Sequence, residues 1–264
     1  MPHVLDGARE RLDRAHQNIQ NLNTELTLFL APVPAVELAV DMEKGEAIIT
    51  DEDRKGFQKI NQFVADNIIP PRFRVLAGEV IHHFRSAFDH VAWQLSSDEF
   101  QAKHFTRIEF PVFKEVELCG IKKKNICRYC RKIEGIASPT ALTRIHFLQP
   151  HLRPDPLRDP LWLIHDMDII DKHRELVLAA FIMNVNFAAT ADIPGIGIQM
   201  PWEITPRLIR YTGPPTNMQM KVKMSAQITL GELRERDDQP IIPTLQNLLR
   251  FTSDAVESFA KEFA

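Results

Sequence analysis

From Ala8 onward, Leu12, Ala15, Ile19, Leu22, Leu26 and Phe29 recur at alternating steps of four and three, the spacing that lines one face of an amphipathic helix. This predicts a helix over about residues 5–30, ended by Pro32 and Pro34. Val36 to Asp41 and Ala47 to Thr50 flank Glu43-Lys44-Gly45 and predict strand, turn and strand over about 36–50. A helical pattern from Glu52 to Asn67 runs up to Pro70-Pro71, and a stronger one follows over about 75–96. In the middle, about 104–113 holds the extended-looking run Ile108-Glu109-Phe110-Pro111-Val112-Phe113. Helical patterns then cover Glu115 to Ile133 and Pro139 to Leu148. Prolines 150, 154, 156 and 160 mark a loop, and Pro160 suits the first turn of a helix over about 161–183.

Beyond it the period changes. Met218, Met220, Val222, Met224, Ala226, Ile228 and Leu230 alternate strictly with polar residues, so the sheet-forming stretch of about 196–230 ends in a strand with one buried face. Leu245, Leu248, Leu249, Thr252, Val256, Phe259 and Phe263 share one face of a final helix over about 243–263. The expected fold class is α+β, a helix-dominated bundle with a small antiparallel sheet inserted, in one domain spanning 1–264.

Composition narrows the function only by exclusion. A chain of 264 residues with 44% hydrophobic and 25% charged residues, and only 10 glycines, can bury a core. A net charge of -3 argues against indiscriminate coating of nucleic acid while leaving room for a local basic patch. Met1 to Glu10 lacks the basic start and apolar run of a secretory signal, and Leu176 to Ala191 is too short to span a bilayer. Three cysteines do not make a disulfide framework at this length. A cytoplasmic protein without membrane contact is the expectation.

The helix over Val75 to Leu95 carries the most unusual surface. Opposite its apolar side lie Glu79, His82, His83, Arg85, Ser86, Asp89, His90 and Trp93. Solvated helix faces are usually rich in Lys, Glu and Gln; this one has three histidines, a tryptophan and no lysine, which implies contact with another helix, a second copy or a ligand. Within it, Arg85 and His90 are separated by four residues. That spacing on a helix of a bundle resembles the signature of the HEPN superfamily, which includes metal-independent ribonucleases and toxin or phage-defence proteins that often dimerise.

The resemblance implies RNA cleavage by attack of the substrate's own 2′-hydroxyl, in a homodimer, with proton transfer by His90 and phosphate stabilisation by Arg85. Imidazole exchanges protons near neutrality and guanidinium forks onto phosphate oxygens, so the residue types suit that chemistry. Glu79, on the same face, joins the candidate catalytic set. Five residues at about 100° each place Arg85 and His90 roughly 140° apart around the axis. A single site therefore requires a long reach, a distorted helix or a second subunit. In the competing reading, Arg85 and Asp89 form an i, i+4 ion pair and the histidines fill a seam between helices of a non-catalytic scaffold.

A second polar cluster, His165 to Glu175, places Asp166, His173 and Arg174 beside Leu163, Met167, Ile170, Val177 and Phe181 on a single helical face. Charges there need partners, so Asp166 or His173 is expected close to Arg85, His82 or His90, and both join the candidate catalytic residues. The dipeptide His165-Asp166 also resembles the pair of HD-type metal phosphohydrolases, a third alternative. Cys127 and Cys130, with Cys119 before them, have the gap found in zinc sites but lack a defined fourth ligand; no metal and no cofactor are expected. Lys122, Lys123, Lys124, Arg128, Arg131 and Lys132, interleaved with Tyr129, form a basic run suited to RNA. No glycine-rich phosphate loop is present, so a nucleotide-powered or NAD-dependent enzyme of the Walker or Rossmann kind is not expected.

Overall fold

A computed structural model describes residues 3–41, 46–47, 49–115, 128–185, 202–204, 209–211, 219–231 and 240–263. The chain is α+β and dominated by helix. It divides into two compact units, one formed by Met1–Glu25, Pro70–Leu178 and Leu230–Ala264, the other by Leu26–Ile69 and Ala179–Thr229.

The first unit is a helical bundle. Helix α1 (Asp6–Leu30) places Ala8, Leu12, Ala15, Ile19 and Leu22 in the core, the face its periodicity predicts. Helix α3 (Pro71–Leu95) begins with proline at its first turn and buries Phe73, Val80, Ile81, Phe84, Phe88 and Val91. Helix α7 (Pro160–His173) is capped by Asp159, whose side chain accepts the N–H groups of Leu161 and Trp162. Helix α8 (Ile241–Ser258) adds Leu245, Leu248 and Val256, and a short 3-10 turn (Ala260–Phe263) follows it. Helices α3, α7 and α8 pack on one another. Gly78 lets α7 approach α3: a side chain there would collide with the Asp171 carboxylate. Helix α1 is tied to α3 by Arg11 to Ser86, Asn18 to Glu79 and Arg72 to Glu25, and to α8 by Arg9 to Glu257. Three shorter helices complete the unit: α4 (Asp98–His104), α5 (Arg128–Ile133) and α6 (Pro139–Phe147).

The second unit holds α2 (Asp51–Asp66) and a six-stranded sheet of β1 (Val36–Asp41), β2 (Glu46–Ala47), β3 (Leu178–Val185), β4 (Trp202–Ile204), β5 (Ile209–Tyr211) and β6 (Gln219–Leu230). The strand order is β3-β6-β1-β2-β5-β4. The registers described, from Val36 opposite Met224 to Ile204 opposite Ile209, are antiparallel. Thr50 and Asp53 form a capping box at the start of α2, and Asn67 closes it in the left-handed region at φ 45°.

Two elements differ from the sequence reading. The helix expected over about 161–183 stops at His173: Arg174 is extended, with φ -160° and ψ 158°, and the apolar run from Leu178 enters the sheet as β3. A short, continuous apolar run has the same signature in a buried strand as in a buried helix. The expected sheet segment at about 104–113 contains no strand. There the chain leaves α4, turns, and runs on without regular secondary structure, its backbone held by side chains. Of the helix expected over Glu115 to Ile133, the described part is α5, and residues 116–127 lie outside the described residues.

Candidate anion-binding cleft

Arg85 and Asp89 occupy successive turns of α3, and Arg85 is buried, with 3% of its surface exposed. Its Nη2 lies 2.8 Å from Asp89 Oδ1, the i, i+4 pair of the structural reading. The same two side chains hold both backbone groups of Phe110: Arg85 Nη2 donates to the Phe110 carbonyl at 2.9 Å, and the Phe110 N–H donates to Asp89 Oδ1 at 2.8 Å. Burial pushes the Asp89 carboxyl up, against the pull of the Arg85 guanidinium and the Phe110 N–H. Gln149, fully buried, continues the tether by accepting from the Phe113 N–H at 3.1 Å and donating to the Pro111 carbonyl at 2.9 Å. The Phe110 ring then packs against Phe88 and Phe259, with centroids 5.0 and 6.1 Å away. Polar groups in a buried segment must find partners; here side chains replace a neighbouring strand.

This tether sets Glu109 at the edge of a cleft of about 340 Å³ lined by Phe100, Thr106, Arg107, Glu109, Arg128, Arg131 and Lys132. Four cations face one carboxylate. Helix α4 forms one wall. Ser97 caps it, Gln101 ties it to the carbonyls of Trp93 and Ser96, and the Phe100 ring lies flush against Gly135, where a Cβ would collide with it. Helix α5 forms the other wall, positioned by the Tyr129 ring against Phe113 at 5.7 Å and by the Arg128 guanidinium over Phe113 at 5.9 Å. Lys132 pairs with Glu109, and Arg85 Nη2 stands 3.6 Å behind the other carboxylate oxygen. Burial lowers the Lys132 ammonium's pKa, and Arg85 lowers it further. Among the described residues, Arg107 and Arg131 have no ion-pair partner. Phe105, 68% exposed, projects where α4 ends, beside Thr106 and Arg107.

Of the expected RNA-binding residues, Arg128, Arg131 and Lys132 line this cleft, while Lys122, Lys123 and Lys124 lie outside the described residues. Phe100, Thr106, Arg107 and Glu109 come from a separate stretch of chain that the sequence reading does not single out; an aromatic-to-basic run from Phe100 to Arg107 is the signal that could have found them.

The expected catalytic residues are scattered. Among the described contacts, Arg85 meets Asp89, Glu109 and Phe110, whereas His90 is half-buried at the start of α1, with Nε2 3.3 Å from the Val4 carbonyl and its ring against Gly7. Burial lowers the pKa of His90. Glu79 is exposed and accepts from Asn18. One link from α7 to the histidines of α3 is made by Asp168. The nearly buried Asp168 lies 3.1 Å from His82 Nδ1 and accepts from Lys172 Nζ at 2.6 Å. Asp166 is half-buried, and His173 and Arg174 are exposed. The buried face of α7 is Leu161, Ile164, Met167 and Asp168, about a third of a turn from the expected one.

His165 is held to a pKa of about 4 by burial first and by Arg85 second, and its ring packs against Trp162 at 5.7 Å. Among the described residues, no group of three or more His, Cys, Asp or Glu side chains could hold a metal ion. Cys130 is half-buried and not in a disulfide; Cys119 and Cys127 lie outside the described residues. No described helix is long and apolar enough to cross a membrane. No family model matches the chain, and no curated protein or solved structure matches it either.

Proposed function

We propose that this protein binds single-stranded RNA through the cleft between α4 and α5, and that the bundle is the scaffold that holds the cleft open. The observation that carries this reading is the lining: Arg107, Arg128, Arg131 and Lys132 around one carboxylate, with Phe100 as an aromatic wall and Phe105 exposed beside it. Cations that track phosphates, interleaved with rings on which bases stack, are what sequence-tolerant single-strand binding requires. A duplex has its bases already stacked and gains nothing from those rings.

RNA is also the ligand that the HEPN resemblance implies. Cleavage by Arg85 and His90 is a separate matter: within one chain they contact different parts of the bundle. The lining of the cleft therefore supports recognition ahead of cleavage. Fluorescence anisotropy with a labelled single-stranded RNA tests it. Wild type should bind, and Arg107→Glu with Arg131→Glu should weaken binding at least tenfold, the order expected from reversing two phosphate contacts. Equal binding by both proteins overturns the reading.

A further inference from the structure

Among the described residues, the cleft is lined by a single carboxylate, and it is held by the two most deeply placed cations near it. Glu109 pairs with Lys132 through one oxygen and stands 3.6 Å from Arg85 through the other. The second distance is too long for the charge-assisted hydrogen bond that a guanidinium normally makes with a carboxylate. Arg85 Nη1, beside Nη2 on the same guanidinium, is buried and has no hydrogen-bond partner among the described residues. Arg85 thus keeps one donor nitrogen unused and holds Glu109 only at a distance, although Asp89 and Phe110 fix its position.

We propose that Glu109 is an internal stand-in for a terminal phosphate, and that the strand end of an RNA displaces its carboxylate to reach Lys132 and Arg85. This rests on the RNA reading above and adds which part of the RNA the cleft prefers. Two physical arguments support a strand end over an internal linkage. An internal phosphodiester carries one negative charge, so exchanging it for a carboxylate gains no attraction, whereas a terminal phosphate carries about -1.5 to -2 near neutrality. A terminal phosphate offers three free oxygens, enough to bridge Lys132 and Arg85 together, where the carboxylate contacts Arg85 only loosely. Finally, the cleft volume of about 340 Å³ lies within the range of ligand pockets, roughly 300–1,000 Å³, which is room for one terminal nucleotide.

The test compares three RNAs of one sequence, with a 5′-phosphate, a 3′-phosphate or hydroxyls at both ends, on the full chain and on the Glu109→Gln and Lys132→Ala variants. In wild type, one phosphorylated form should bind about tenfold more tightly than the hydroxyl form, the order of one added charge-assisted contact. Glu109→Gln should strengthen binding of that form several-fold, and Lys132→Ala should erase the preference. If all three RNAs bind wild type equally and Glu109→Gln changes nothing, the stand-in role fails while RNA binding itself stands. If none binds, both the RNA reading and this inference fail. Tighter binding of a phosphoserine peptide than of any RNA overturns the strand-end assignment in favour of a phosphoprotein ligand. Should Glu109→Gln not fold, the three RNAs on wild type and Lys132→Ala still decide.

Discussion

Asp89 accepts the backbone N–H of Phe110 at 2.8 Å, and the Arg85 guanidinium one turn earlier on α3 takes the carbonyl of that same residue at 2.9 Å. An ion pair that the sequence places within one helix thus clamps a segment 21 residues further on, and the clamp aims Glu109 into the cationic cleft.

Breaking the clamp on one side should therefore be costly. Arg85→Met leaves the Asp89 carboxylate without its cation and the Phe110 carbonyl without its donor. A loss of about 2–3 kcal/mol is expected, below the roughly 3–5 kcal/mol of a fully buried pair because about a third of the Asp89 side chain is exposed. Urea unfolding measures it, and Arg85→Met with Asp89→Leu should recover part of the loss. A change below about 1 kcal/mol, the range of an exposed pair, would show that the clamp contributes little.

The seam around His90 yields a test whose sign opposes intrinsic propensity. Gly to Ala inside a helix normally stabilises by about 0.5–1 kcal/mol. At Gly7, however, the added Cβ would lie 2.7 Å from His90 Cε1 and 2.8 Å from Nε2. Gly7→Ala should destabilise by about 1–2 kcal/mol, as overpacking does, and adding His90→Ala should remove the penalty. Thermal unfolding of the three variants reads this, and His90→Ala alone should leave RNA binding unchanged.

Acid should weaken the fold through its half-buried imidazoles. His165 falls from its ordinary value of 6.5 to about 4, chiefly through burial, so between those values the unfolded chain holds a proton that the folded chain lacks. Its contribution is complete above pH 6.5 and is lost as the pH falls toward 4. His83 and His90 are lowered as well, with the same sign. From pH 7 to 5 the His165 contribution should be on the order of 1–2 kcal/mol after discounting for partial exposure. Urea midpoints at the two pH values for wild type and His165→Gln should show the variant with the shallower dependence; identical dependence would place His165 in contact with solvent.

Salt should report the phosphate contacts one at a time. For single strands the slope of log affinity against log salt shrinks by about 0.7 for each phosphate that is no longer neutralised. Arg107→Ala and Arg131→Ala should each reduce the slope by about that amount, whereas Arg9→Ala, whose guanidinium pairs with Glu257, should leave it unaltered. Titrations at several salt concentrations check this.

Much of the bundle can be read from the sequence because α1, α3 and α8 carry long periodic faces, and the alternation from Met218 to Leu230 marks β6. The end of α7 is illegible for a different reason: Leu176 to Met183 is apolar throughout, so its side-chain pattern does not distinguish strand from helix. The segment from Ile108 to Phe113 reads as a strand from its apolar run, but its hydrogen bonds go to Asp89, Arg85 and Gln149, partners that no local pattern announces. The candidate site is half legible. Arg128, Arg131 and Lys132 form a visible basic run, while Phe100, Arg107 and Glu109 join them only through the tertiary clamp. The Arg85 and His90 spacing is real, but the helical angle between them sends the two side chains to different neighbours.

Photo-crosslinking with 4-thiouridine RNA, followed by peptide mapping, tests the cleft most directly. Attachment within the segments 100–109 and 128–133, reduced by Arg107→Glu with Arg131→Glu, is the predicted result. Crosslinks confined to other surfaces of the bundle, or none at concentrations where RNA is bound, would contradict the account.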